Sequence, residues 1–390
     1  MHILLVHNDY ARFSGEENAV EDIAKLLEAH GHRLSWLRRT SSKIGDSTVN
    51  KIQALFSGIY SFDARKEMSR ILNGEQIDLI QVQNLYPFIS PSVLPECRKR
   101  GIPVVMRCPN YRLFCPNGLH LTHGKVCERC LGGKEWNCVL QNCEENILKS
   151  TGYAVRNATA RITGMIRNNV TTFVVLSKFQ KQRFINGGIP SDRIGILPNI
   201  APLVQIPDNA DVGETVSFVG RVSKEKGIDE FLAASRKLDQ LQFSVVGSTE
   251  GMPCIRSEAS SNVSIPGFLT GAALDDLFNT SRILVFPSIW FEGFPNVIAK
   301  AMAHRKPVIA GRIGAIPEIV EDGVTGLLFE PGNATDLAEK IEFLWNQPDL
   351  CQKMGQAGLE KARREYSQEH FYQRLINIYE NARSIAGAIR

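Results

Sequence analysis

Three short stretches of this chain hold residue types able to do chemistry. GRVSKEKG at 220–227 sets Arg221 and Lys226 behind Gly220. WFEGFPNV at 290–297 sets Glu292 just ahead of Gly293, Phe294, Asn296 and Val297, and RFSGEENAV at 12–20 contains Gly15. Arginine offers a planar fork of donors and lysine a compact charge, so Arg221 and Lys226 suit a diphosphate. A carboxylate repels phosphate but accepts from hydroxyls, which fits Glu292 to a sugar. With Pro295 opening a helix, amides around Asn296 and Val297 are left to meet a phosphate or sugar oxygen. Gly15 lets backbone approach a ligand closely, in front of another helix N-terminus. Each stretch also has an ordinary reading: a basic loop, a helix-capping acid, a simple turn.

Every one of these stretches lies between a strand pattern and a helix pattern. HILLVH, LSWL, DLIQVQ, IPVVM and TTFVVL alternate with helical spacings such as Val20, Ile23, Leu26 and Leu27. The alternation pauses at 198–213, which has three prolines, then resumes with TVSFVG, FSVVG, NVSIPG, RILVFPS, KPVIAG and TGLLFE. Strands alternating with helices imply parallel sheets with right-handed crossovers. We therefore expect an α/β protein of two doubly wound, Rossmann-like domains facing a cleft, with ligands beyond the strands' carboxyl ends. The expected boundaries are 1–200 for an acceptor-binding domain, 201–368 for a donor-binding domain, and 369–390 for a last helix packing back on the first domain.

The totals agree with this class. A chain of 390 residues suits two domains, and 43% apolar with 22% charged residues is a globular composition. No apolar run approaches the roughly 20 residues that span a bilayer, and MHILLVHNDY reads as a first strand, not as a signal peptide. The cytoplasm is the default compartment. Residues 1–200 hold 26 basic against 17 acidic side chains, and 146–191 hold no acid beside Lys149, Arg156, Arg161, Arg167, Lys178, Lys181 and Arg183. Such a stripe suits the inner face of an anionic membrane or a phosphorylated substrate, or else is a solvated helix face.

Seven of the nine cysteines fall between Cys97 and Cys143, within and around an insertion at 108–145. Cys115, Cys127, Cys130, Cys138 and Cys143 include a Cys-x2-Cys pair, so a structural zinc site is one reading and reduced, partly buried thiols another. A cytoplasmic chain does not normally hold disulfides.

GRVSKEKG, FPSIWFEGFPNVIAKAMA and KPVIAGRIGAIPEIVEDGVTGLLFEPGN together resemble the retaining glycosyltransferases of family four, which have the GT-B fold. The resemblance is close over 215–345 and looser in SGEE, QVQNLYPFISPSVL and NYRLFCPNG. It implies a nucleotide-diphosphate sugar, most often UDP-linked, in the C-terminal domain, an acceptor in the N-terminal domain, and no catalytic metal or other cofactor. Arg221 and Lys226 match the pair that neutralises the donor diphosphate, Glu292 matches the first acid of a Glu-x7-Glu motif, and Gly293 to Val297 match its amide-donating turn. Gly15 matches the glycine loop under the diphosphate. Three positions depart. The second acid is Lys300, a common histidine is Pro109, and a common His-x-His is Gln81-Val82-Gln83. The expected activity is transfer of a hexose, glucose from UDP-glucose first, onto a glycan or lipid-linked acceptor in polysaccharide biosynthesis, with no nucleic-acid partner. A degenerate nucleotide-sugar-binding protein, and an epimerase or phosphorylase of the same fold, are the alternatives.

Overall fold

The computed structural model describes residues 1–10, 15–41, 48–202, 204 and 213–388. Positions 12–14 of the first glycine loop and most of the proline-rich 198–213 stretch lie outside the described residues. The chain forms two compact units: Met1–Thr122, Cys127–Pro198 and Tyr372–Arg390 make the first, His123–Val126 and Asn199–Phe371 the second. The architecture in each is α/β and doubly wound, as the alternating patterns require.

In the first unit six parallel strands run across the sheet in the order Arg33–Thr40, His2–Asp9, Leu79–Asn84, Val104–Arg107, Thr172–Val175, Ile194–Ile196. Helices cover both faces of such a sheet, so a central strand has no polar side. Ile3, Leu4, Leu5 and Val6 are accordingly fully buried, whereas the edge strand Arg33–Thr40 is mostly half-exposed. The helix Gly15–Ala29 buries Val20, Ile23 and Leu27, the stripe its spacing predicts.

The second unit runs Val263–Gly267, Gln242–Val246, Thr215–Val219, Ser281–Phe286, Val308–Gly311, Gly326–Phe329. Pro266 sits in the edge strand, where a missing N–H costs no ladder bond. Phe218, Phe231 and Phe243 form the centre of this core, with ring centroids 5.4–5.7 Å apart. Thr215–Val219 pairs with Gln242–Val246 on one side and Ser281–Phe286 on the other. The chain thus leaves its first strand one way and returns on the other side, which opens a crevice at the carboxyl ends of those two strands. The loops that emerge there are 220–227 and 287–295. In the first unit the corresponding reversal lies between His2–Asp9 and Leu79–Asn84.

Among the described residues no helix is long and apolar enough to cross a membrane.

Candidate active site

The two loops at the second unit's crevice are locked together before any ligand arrives. Gly227 takes φ +75°, and a Cβ there would meet the Pro287 carbonyl oxygen at 1.9 Å, so only glycine allows this approach. The Ile289 amide donates to the Glu225 carbonyl at 3.1 Å, and Ser288 Oγ reaches the same oxygen at 3.4 Å. Lys226 ends a turn of 3-10 helix, with its Nζ 2.5 Å from Glu292 Oε1. The ammonium lies 5.2 Å from the Trp290 ring centroid and 5.7 Å from that of Phe286, both favourable to a cation. Glu292 Oε1 also accepts from Trp290 Nε1 at 2.7 Å and Ser288 Oγ at 3.2 Å. All three bonds land on Oε1, which leaves Oε2 to take hydroxyls from a sugar. Ser288 and Trp290 were not singled out from the sequence. Their signal was present as the run Ser-Ile-Trp-Phe-Glu, in which two side-chain donors precede the acid.

Arg221 behaves differently from Lys226. Its guanidinium is 60% exposed and bonds Glu225 at 2.6 Å, so it projects from the loop edge and is free to turn. The helix Asn296–Ala303 starts one residue later than the sequence suggests. Pro295 is the N-cap residue, and no side chain caps the helix, so its first amides are available to an anion. Asn296 Oδ1 takes a bond from Asn199 Nδ2 at 2.6 Å. Phe294 is 7% exposed and packs edge-on against Tyr366 at 4.9 Å, so it anchors the turn and offers a ligand only its backbone. Gly293 is buried in the same turn, and Gly220 ends the strand Thr215–Val219.

Lys300 is drawn to a neighbouring helix. Its Nζ stands 2.7 Å from Asp275 Oδ1 on Gly271–Thr280, with His304 Nε2 3.3 Å from the same oxygen. The Lys300 hydrogen bond leads the causes that hold the Asp275 carboxyl below its usual range. Lys300 is therefore one half of an ion pair between two helices.

The first unit has its own concavity at the carboxyl ends of Leu79–Asn84 and Val104–Arg107, lined by Glu16, Asn84, Arg107, Pro109, Asn110 and Arg112 among others. Gly15 begins the helix that brings Glu16 to it. Burial pushes the Glu16 carboxyl up, against the pull of Arg112, the Tyr10 hydroxyl bond and Arg107. Burial also lowers Arg107 to about 10, with Glu16 opposing. Two guanidinium groups thus share one carboxyl in a water-poor pocket, and the balance favours an anion. Gln81, on the strand Leu79–Asn84, accepts from the Tyr379 hydroxyl.

The basic stripe of 146–191 is not a free cationic face. Arg156 is 7% exposed, sandwiched by the Tyr86 and Tyr153 rings at 4.3 and 4.5 Å. Lys149 pairs with Glu144 at 2.6 Å, Arg161 with Glu135 at 2.6 Å, and Arg183 with Glu128 at 3.4 Å. The acids come from the preceding cysteine-rich segment, so a charge count within the stripe could not see them. The helix Ile147–Ile162 also exposes apolar side chains beside Lys149, Thr151 and Arg161: Leu148, Val155 and Ile162, at 80%, 47% and 74%.

Comparison with known proteins bears on both units. Residues 213–347 match the family described as glycosyl transferases group 1. The chain is 30% identical over 182 residues to alpha-maltose-1-phosphate synthase of Mycolicibacterium smegmatis, covering 42% of this chain and 47% of that one. It is 23% identical to a 42.6 kDa protein from the cps region of Klebsiella pneumoniae, over 81% of this chain and 77% of the other. In alignments such as the first, the chain spans about half the length of the curated relatives it matches. Anabaena Alr3699/HepE in complex with UDP shares the fold at TM-score 0.68 and 16% identity, over 97% of this chain and 99% of its own. The same Anabaena protein has been solved with UDP-glucose.

Proposed function

We propose that the chain, whose residues 213–347 match the glycosyl transferases group 1 family and which shares the GT-B fold of two Rossmann-like units, transfers a hexose from a UDP-sugar, glucose from UDP-glucose first, with retention at the anomeric carbon. The observation that carries this reading is the Lys226–Glu292 pair beside an uncapped helix end at the crevice of the second sheet. In the reaction an acceptor hydroxyl oxygen bonds the anomeric carbon while the bond to the β-phosphate oxygen breaks, and the hydroxyl proton passes to that leaving oxygen. Arg221, Lys226 and the amides at Asn296 and Val297 stabilise the charge that develops on the diphosphate. Glu292 orients the sugar through its hydroxyls. The chemistry needs no metal in this reading, since fixed cations and a helix end meet the leaving charge.

The acceptor in this proposal is a glycan or lipid-linked sugar that presents a phosphate or carboxylate to the pocket of Arg107 and Arg112. The Klebsiella relative from a cps region supports polysaccharide biosynthesis as the setting. We place the protein in the cytoplasm, on the inner face of the membrane, with Leu148, Val155 and Ile162 as the contacting side chains. Attachment through them should persist in salt, unlike attachment through surface charge. A second reading, a nucleotide-sugar-binding protein without turnover, is favoured by the engagement of Lys300 with Asp275 where similar enzymes have an acid.

A thermal-shift screen over nucleotide sugars, followed by an assay for UDP release, tests the proposal. Stabilisation by UDP-glucose with release of UDP on adding acceptor supports transfer. Binding without release favours the second reading, and no stabilisation by any UDP-sugar overturns both.

A further inference from the structure

The strand Leu79–Asn84 carries one residue more than its neighbour His2–Asp9 can pair. Val6 stands opposite Val82 and His7 opposite Asn84, so Gln83 is the extra residue of a β-bulge. A bulge re-aims a side chain that regular pleating would send elsewhere. Gln83 lines the first unit's concavity together with Glu16, Arg107 and Arg112. It is 3% exposed, and among the described residues neither its Nε2 nor its Oε1 has a hydrogen-bond partner.

An amide buried with both ends unmatched forfeits the hydrogen bonds that it made in water. The amides around it are matched. Asn84 Nδ2 donates to the Asn8 carbonyl at 2.7 Å, and its Oδ1 accepts from the Tyr86 amide at 3.1 Å. Gln180 Nε2 donates to the Cys108 carbonyl at 2.7 Å, and its Oε1 accepts from the Leu176 amide at 2.9 Å. Gln81 has an unmatched Nε2, but its Oε1 is taken by Tyr379 and it is not part of the pocket lining. Gln83 is therefore the amide at this pocket that a ligand could complete at both ends.

The rest of the lining defines that ligand. A buried Arg107 and a half-buried Arg112 meet one carboxyl, Glu16, whose Oε2 is held by the Tyr10 hydroxyl at 2.7 Å. Two guanidinium groups against one carboxyl leave positive charge in surplus. Arg156 stands behind the Tyr86 ring, 4.3 Å from its centroid, and does not line the pocket. A carboxylate completes the balance with one negative charge. A phosphomonoester carries about −1.5 to −2 at neutral pH and overshoots it once Glu16 is ionised. Vicinal hydroxyls match an amide end to end, one donating to Oε1 and the other accepting from Nε2. Met106, Leu113 and Ile166 add apolar surface for the C–H faces of a sugar ring. A hexuronate joins these features in one residue, since the ring carbon bearing its carboxylate adjoins two carbons that bear hydroxyls in turn.

We propose that this pocket takes a terminal hexuronate of the acceptor, its carboxylate at Arg107 and Arg112 and its neighbouring hydroxyls on Gln83. The inference rests on the first unit being the acceptor side, and it narrows the anion there to a carboxylate. Gln83 acts as the specificity residue, because an anion without adjacent hydroxyls leaves its amide unmatched.

The test uses the full chain with methyl glucuronide, methyl glucoside and glucose 6-phosphate, read by thermal shift and calorimetry. Methyl glucuronide should bind about tenfold or more tighter than methyl glucoside, which lacks the carboxylate. Gln83→Met keeps the side chain's length and removes both unmatched groups. Its melting temperature without ligand should rise by roughly 2–4 °C, while methyl glucuronide should bind about tenfold more weakly. An amide that serves only the fold predicts the reverse, a lower melting temperature with unchanged affinity, and that result overturns the assignment. Should Gln83→Met not fold, the wild type still decides: a glucuronide deoxygenated beside the carboxylate-bearing carbon should bind about tenfold more weakly, and equal binding refutes the role of Gln83. Tighter binding of glucose 6-phosphate than of methyl glucuronide refutes the carboxylate. UDP-glucose turnover onto other acceptors, with no glucuronide binding, sinks this inference alone. Glucuronide binding without any UDP-sugar binding sinks the transferase reading and leaves the pocket's ligand standing.

Discussion

The two charged sites of this molecule are built on opposite plans. In the second unit Lys226 and Glu292 face each other as a matched pair, and the exposed Arg221 stands off to the side with Glu225. In the first unit a buried Arg107 and a half-buried Arg112 flank a single carboxyl, Glu16. A matched pair has little net field, so in the proposed reaction a diphosphate shares or displaces Glu292 as it takes Lys226. An unmatched pocket holds its field in readiness and gains most from a ligand that brings negative charge. The difference teaches that one site selects by rearranging partners and the other by completing a charge balance.

The largest effect should come from Lys226→Ala. It removes a cation that is held by two rings and a carboxylate, and kcat should fall on the order of 10²–10³-fold. Arg221→Ala should cost about tenfold less than that, because an exposed, mobile guanidinium is poorly preorganised. Equal losses in steady-state assays of the two purified variants would erase the contrast between buried and peripheral cations.

Glu292→Gln should separate sugar from nucleotide. The amide oxygen still accepts from Trp290 and Ser288, while the Lys226 charge is no longer offset. UDP should bind as tightly as before or several-fold tighter, and sugar transfer should drop by about tenfold or more. Calorimetry in which UDP and UDP-glucose weaken together would show that Glu292 serves the fold and not the sugar.

The unmatched pocket predicts a pH dependence. Burial raises the Glu16 carboxyl above its ordinary range, so as pH falls its negative charge is lost earlier than that of an ordinary carboxylate. Losing it leaves the arginines unopposed, and KM for an anionic acceptor should decrease on acidification. Glu16→Gln should flatten that profile and lower KM several-fold at its alkaline end, with UDP affinity unchanged. A KM profile that is the same in wild type and variant would remove Glu16 from the acceptor site.

Lys300→Glu is the mildest test. It sets a carboxylate against Asp275 and should cost roughly 0.5–1 kcal/mol of stability. Asp275→Asn in the same chain should restore most of the melting temperature. If the double variant is no more stable than Lys300→Glu alone, the pair seen between these helices is not an energetic one.

These contrasts also show what a sequence reveals. The loops 220–227 and 287–295 at the second sheet's crevice were legible because every residue in them lies within a few positions of a strand end, where local pattern fixes the neighbours. The turn start slipped by one residue, since Pro295 fits either the cap or the first helical position. Lys300 was read toward the ligand because its partner Asp275 is on a separate helix and no spacing rule links them. Arg156 was read as surface charge, although Tyr86 and Tyr153 bury it from two sides. The first unit's pocket collects residues from several strand ends, and only tertiary structure brings Glu16 to Arg107 and Arg112.

The helix Gln368–Ala388 gives the two units different histories on the ribosome. The strands and core of Asn199–Phe371 are complete once residue 371 has emerged, whereas the first unit still lacks Leu375, Tyr379 and Ala382, all buried in it. At translation speeds of about 5–20 residues per second, the first sheet waits on the order of 10–40 s after Pro198 for Tyr379 to reach Gln81. The unit that begins first therefore finishes last, and its unclosed apolar face is the surface a chaperone would meet during synthesis.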